Sequence, residues 1–367
     1  MLGIRKAAVA AALAVTSLAL IPAARVDASA GLLTRAGVVT TPVLGTVIRR
    51  LPFASRNLAL YWRGDRDAHV TVAFSRDGVH FGPAIDAGRD EIGEERHNGI
   101  TYGALVSSFG ATSVRVRSDR RIARLTVLAL TDRATSSLPL LDKLTDQKTK
   151  RPQITARSDW GANESLRFAA SGTERWTPTF APLKKLIVHH TATANDDPNP
   201  AATVRAIYYY HAITQGWGDI GYNFLIDESG RIYKGRNSHA PGSTIDTITG
   251  EDKSGNGVTA AHAHGYNTGS VGVALLGTLT TKDATPAAKK ALEDVLTWKA
   301  DRHGIDPEGS SSYTNSSGQQ RVFPNIAGHR DVAPTTECPG GAFYNTLPTV
   351  RAHIAARLRP SGLLGKL

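Results

Sequence analysis

Two short apolar runs set the folding problem for this chain. LIVHH, from Leu186 to His190, and SVGVALLG, from Ser270 to Gly277, are largely apolar. A strand with one wet face alternates apolar and polar residues, whereas a run without alternation is covered on both faces, as in sheets packed between helices. The covering helices are legible too. A stripe at Val204, Ile207, Tyr208 and His211 follows Pro200 with helical spacing. Thr285 and Pro286 open a second pattern, through Ala291, Leu292, Val295 and Trp298, that stops at Gly304. Between them FLIDESGRIYKG reads as a hairpin around Ser229 and Gly230. The expected fold class is α/β, with a central mixed β-sheet flanked by helices.

A chain of 367 residues exceeds what one core usually supports, so two domains are expected. From Asn57 to Thr131 the sequence offers strand-like segments, LALYW, HVTVAF, SVRVR and RLTVLALT, separated by turn-rich stretches such as SRDGVHFG. Residues 31–140 are read as a small all-β, sandwich-like accessory domain, which binds a ligand or braces its neighbour. No cluster of acid, histidine or cysteine sits within its strand-like segments. Residues 141–156, including KLTDQKTKRP, lack apolar periodicity and are read as a linker. The α/β domain is assigned to residues 157–360.

Residues 1–30 fit a secretory signal: Arg5 and Lys6, an apolar run from Ala7 to Ile21, then Ala28, Ser29 and Ala30 as a small-x-small cleavage site. The apolar run is shorter than the ~20 residues of a membrane-spanning helix, and no later stretch is a membrane candidate. The formal charge is +11; removing the +2 carried by Arg5, Lys6, Arg25 and Asp27 leaves +9. Such a basic chain favours polyanions, and export points to the anionic polymers of a bacterial wall rather than to nucleic acid, for which no binding motif is present. A secreted or wall-associated protein is expected.

Cys338 is the single cysteine, so it cannot form an internal disulfide; a free thiol, an intermolecular link or a metal ligand remain. A catalytic zinc takes three protein ligands and keeps one position open. His189 and His190 end a strand-like run, where successive side chains face opposite ways, so one of them can enter a given site and adjacency does not say which. His329 lies in AGHRD and Cys338 in TECPG, nine positions on, in turn-rich sequence that can fold back onto one ion.

IVHHTAT, GWGDIGYNFLID, HAHGYNTGSVGVALLGT and AGHRDVAPTTECPG, in that order after RSDWGA, resemble the peptidoglycan recognition protein and type 2 N-acetylmuramoyl-L-alanine amidase family. The resemblance runs from about Arg157 and Trp160 to about Leu347, and the β-rich segment lies outside it. It implies a zinc hydrolase that cuts the amide between the lactyl group and L-alanine of peptidoglycan; the alternative is a recognition protein that binds muramyl peptides without cutting. The implied zinc ligands are His189, His329 and Cys338, with His190 turned away. Tyr222 of GYNF is implied to face the oxyanion. A second catalytic residue two positions before the cysteine falls on Thr336, or on Thr335 if the longer loop shifts the place. Ala274 stands where cytoplasmic recycling amidases carry a glutamate. Thr191, His211 and His262 are implied to line the substrate groove; His211 also fits a plain core position, and His264 is a rival to His262.

Overall fold

The computed structural model describes residues 34–88, 99–132, 151–243 and 245–359. The proposed signal and the first ten residues of the proposed linker lie outside these. Strands β1 (Thr34–Gly64), β2 (Val70–Ser75), β3 (Ile85–Asp86), β4 (Thr101–Tyr102) and β5 (Val106–Asp132) form an antiparallel sheet in the order β3-β2-β5-β1-β4. The segments SVRVR and RLTVLALT, read separately in the sequence, are two parts of the one strand β5. Its first part pairs with β2 (Val72 opposite Val116) and with the middle of β1 (Val47 opposite Val116). Its second part pairs with both ends of β1, Val127 lying opposite Val39 and Leu60. Bulges in β1 let the strand bend around a core of its own that includes Leu58, Leu60, Trp62, Val70, Val114 and Leu125.

The second sheet is built from β6 (Ile154–Thr155), β8 (Lys185–His190), β9 (Phe224–Ile226), β10 (Ile232–Lys234), β12 (Ser270–Leu275) and β15 (Ile326–Gly328). Its order is β15-β8-β12-β9-β10-β6. The first four strands are mutually parallel and β9 pairs antiparallel with β10, so the sheet is mixed and the class is α/β. Ile154 and Thr155, within the segment read as linker, form its edge beside Ile232 and Tyr233. Two short pairs, β7 (Phe180–Ala181) with β11 (Gly257–Val258) and β13 (Ser310–Thr314) with β14 (Gln320–Pro324), stand apart.

Alternation sorts the two faces of the mixed sheet. Leu186, Val188, Phe224, Ile226, Val273 and Leu275 share a core with α2 (Pro286–His303) and α4 (Leu347–Leu358), which follows the short α3 (Gly341–Tyr344). The intervening Leu225 and Ala274 share another with α1 (Pro200–Tyr209). Helix α2 begins and ends where its caps predict. Thr285 accepts a hydrogen bond from the Ala288 amide, Pro286 follows, and Gly304 stops the helix in the left-handed region at φ 61°. In the hairpin turn Asp227 Oδ1 accepts from the amides of Ser229 and Arg231.

Candidate metal centre

Strands β8 and β15 run parallel side by side, so their carboxyl ends emerge together. His189 lies near the end of β8, and His329 follows β15 directly in a single 3-10 turn. The chain then folds back, and the Arg330 amide donates to the Cys338 carbonyl. One donor atom from each of His189, His329 and Cys338 lies within 4.8 Å of the others, and all three residues are buried. Cys338 Sγ is 3.6 Å from His189 Nδ1, and the His190 amide donates to the same sulfur at 3.4 Å. His329 Nδ1 is buried with no hydrogen-bond partner. A buried orphan nitrogen beside a thiol and a second imidazole is costly unless something binds there, so this donor set fits a zinc ion.

The other nitrogen of His189 is held from behind. His189 Nε2 lies 3.1 Å from His262 Nδ1, and His262 Nε2 lies 3.2 Å from Ser270 Oγ. The Ser270 hydroxyl has one proton and donates it to the Tyr266 carbonyl at 2.6 Å. It must therefore accept from His262 Nε2–H, which leaves His262 Nδ1 the acceptor and His189 Nε2–H the donor. That chain directs the His189 lone pair, on Nδ1, toward Cys338. The arrangement depends on Gly272, because a Cβ there would lie 2.3 Å from His262 Cγ. Asn267 Oδ1 fixes the loop by accepting from the His262 and Ala263 amides at 2.8 Å each.

Of the neighbouring pair, His189 is the one brought to the cluster. His190 spends Nδ1 on the Leu279 amide at 3.0 Å. Burial, and then the nearby Arg330 charge, push its pKa down to about 4. Burial likewise holds His329 down at about 4 and His262 at about 3, and it pushes His189 well below its ordinary value. All four imidazoles are thus neutral at neutral pH, the form that ligates metals.

A cavity of ≈ 440 Å³ opens over the cluster, with Thr191, His211, Tyr222, His329 and Cys338 in its lining. The Tyr222 ring centroid lies 5.6 Å from that of His189 and 5.7 Å from that of His211. His211 sits in a π-helical turn, Tyr210–Thr214, that continues α1. Such turns recur at functional sites because they displace side chains from the regular helical stripe. Its Nδ1 accepts from the Gly221 amide at 3.1 Å, so Nε2 carries the proton, and burial holds its pKa at about 3.

His262 and Thr336 take other places. His262 is wholly buried behind His189 and is not among the cavity-lining residues, and His264 is not among them either. Thr336 is also outside the described lining; its Oγ1 accepts from the Cys338 amide at 2.9 Å. Two contributions had no signal in the sequence. One is Ser270, the end of the histidine chain. The other is Ile85, Asp86 and Leu105 of the β-rich segment, which line the same cavity although they precede His189 by more than eighty residues.

Residues 179–341 match the family described as N-acetylmuramoyl-L-alanine amidase. A human protein named N-acetylmuramoyl-L-alanine amidase is 32% identical over 57% of this chain and 30% of its own length. The chain therefore spans less than a third of that relative. Peptidoglycan-recognition protein SC2 of Drosophila simulans is 32% identical over 53% of this chain and 85% of its own. The solved structure of Drosophila PGRP-LB, 28% identical, covers 53% of this chain and 92% of its own with a TM-score of 0.38.

Proposed function

This chain belongs to the peptidoglycan recognition protein and N-acetylmuramoyl-L-alanine amidase family, and from that membership we propose that it is an exported, zinc-dependent amidase. Its substrate would be the amide joining the lactyl group of peptidoglycan to L-alanine, and its setting the bacterial wall. The observation that carries the proposal is the buried His189, His329 and Cys338 cluster beside a cavity that also takes in Tyr222. Zinc held by these three residues would supply Lewis acidity toward an amide carbonyl and toward water.

The protein's own groups supply the rest. The His190 amide favours the thiolate of Cys338, and the Ser270–His262–His189 chain holds one tautomer and one ring orientation. Tyr222 is assigned the hydroxyl that donates to the carbonyl oxygen as negative charge develops on it. His211, protonated at Nε2, and Thr191 are assigned to orienting the muramyl peptide. Thr336 holds the Cys338 loop through the cysteine amide, which favours a positioning role. With Ala274 buried beside His189 where a carboxylate would stand in recycling amidases, no acidic side chain comes from β12. The β-rich segment is proposed as an accessory domain of the same enzyme.

The test combines metal analysis with digestion of purified peptidoglycan. The wild type is expected to carry near-stoichiometric zinc and to release stem peptides from intact glycan strands, and Cys338→Ala to lose both. A protein that binds the wall and never cuts it, with zinc present, would instead be a recognition protein.

A further inference from the structure

The β-rich segment is firmly seated beside the cavity over His189, His329 and Cys338. Ala59, Tyr102, Leu105 and Leu130 share a buried core with Val204 and Ile207 of α1. Tyr210 Oη donates to the Gly103 carbonyl at 2.6 Å, and Arg56 pairs with Asp197 at 3.1 Å. These contacts bring β3 and the loop before β5 to the cavity, where Ile85, Asp86 and Leu105 meet the same space as Thr191, His211 and Tyr222. Any ligand large enough to fill ≈ 440 Å³ touches both surfaces.

The charge of this lining is opposite to that of the chain. The protein is formally +11, yet no lysine or arginine is among the described residues lining the cavity, whereas Asp86 and Glu337 are. Asp86 Oδ1 accepts from the Gly88 amide at 2.8 Å, its other oxygen lies 3.5 Å from His69 Nε2, and its side chain is 67% exposed. It is thus oriented by its own turn and open to a ligand.

We infer that the β-rich segment is the second wall of the substrate cleft, and that Asp86, with Glu337, selects stem peptides bearing a protonated amine over those bearing a free carboxylate. The inference rests on the amidase reading and deepens it by assigning a substrate preference. At this exposure solvent screens the interaction, so one carboxylate changes relative affinity by roughly two- to fivefold. The charge of the metal centre acts on each peptide equally in wild type and in an Asp86 variant, so it cancels when the ratios of the two proteins are compared.

The experiment uses three muramyl tripeptides that differ only in the third residue: lysine, acetylated lysine and glutamate. Binding is followed by fluorescence anisotropy and cleavage by peptide release, on the zinc-loaded full chain. Wild type is expected to prefer lysine over acetyl-lysine over glutamate, with the spread shrinking at about 0.5 M sodium chloride. Asp86→Asn should shrink the lysine-to-glutamate ratio by roughly two- to fivefold, and Asp86→Lys should shrink it further. Peptides bound or cut with an unchanged ratio in both variants would overturn the inference and leave the amidase reading standing. Peptides neither bound nor cut by wild type would overturn both.

Discussion

His262 is the residue whose replacement tests the metal centre most sharply, because it touches the proposed ligand and not the metal. In His262→Leu the donor His189 Nε2–H, now paired at 3.1 Å, would face an apolar side chain in a fully buried place. Leaving one buried donor unsatisfied costs about 1–3 kcal/mol. At ~1.4 kcal/mol per tenfold change, zinc affinity should fall roughly 10- to 100-fold, the range typical for loss of a partner behind a metal ligand. His262→Asn keeps an acceptor near the Nδ1 position and should lose less than the leucine variant. Gly272→Ala reaches the same end from another strand, since its methyl would push into the His262 ring, 2.3 Å away. The assay is competition for zinc against a fluorescent chelator at pH 7.5, with circular dichroism to establish folding. A folded His262→Leu protein that binds zinc as tightly as wild type would refute the histidine-chain argument.

Three further outcomes are expected. Tyr222→Phe keeps the ring and removes the hydroxyl, so turnover on peptidoglycan should fall roughly 10²- to 10³-fold while zinc content is retained; full activity would remove Tyr222 from the mechanism. Glu251 is buried and paired with Lys299, Arg302 and His303. Its hydrogen bond with His303 and the neighbouring Lys299 charge outweigh burial and hold its pKa at about 2. Its stabilisation is present above the ordinary carboxylate value and lost as pH falls toward about 2, and Glu251→Gln should cost about 3 kcal/mol in urea unfolding at pH 7, an effect that vanishes if the cluster is dispensable. For the chelator-treated protein, His211 is held at about 3 by burial, whereas its unfolded form protonates near 6.5. Stability is complete above that value and falls as pH drops below it, by up to ~1.4 kcal/mol per pH unit for this one group. Urea midpoints from pH 7.5 to 4.5 should therefore fall less steeply in His211→Phe, and equal slopes would contradict the burial argument.

The features legible from the sequence are those set by neighbours in the chain. The doubly apolar runs became β8 and β12 because strand burial is written position by position. Helix α2 began at Thr285 and stopped at Gly304 because caps are made within a few residues. His329 and Cys338 could be read as a pair because nine residues of turn-rich chain can fold back. From adjacency alone the choice between His189 and His190 stayed open, and the resemblance pointed to His189. The structure shows His190 spent on the Leu279 amide and His189 beside Cys338.

Other features depended on packing between distant segments. The resemblance implied only that His262 lines the substrate groove. His262 became the partner of His189 only because β12 lies against β8, with Ser270 behind the ring and no side chain at Gly272. The β-rich segment carries no chemical motif, and nothing local in it points to a site. Its place beside the cavity follows from apolar side chains of β1, β4 and β5 burying themselves against α1. Composition determined that this chain is basic. Only the tertiary structure decided that Asp86 and Glu337, more than two hundred residues apart, line the same cavity. Local propensity is written in neighbouring residues, whereas the charge of a cleft is the sum over whichever distant segments the core brings together.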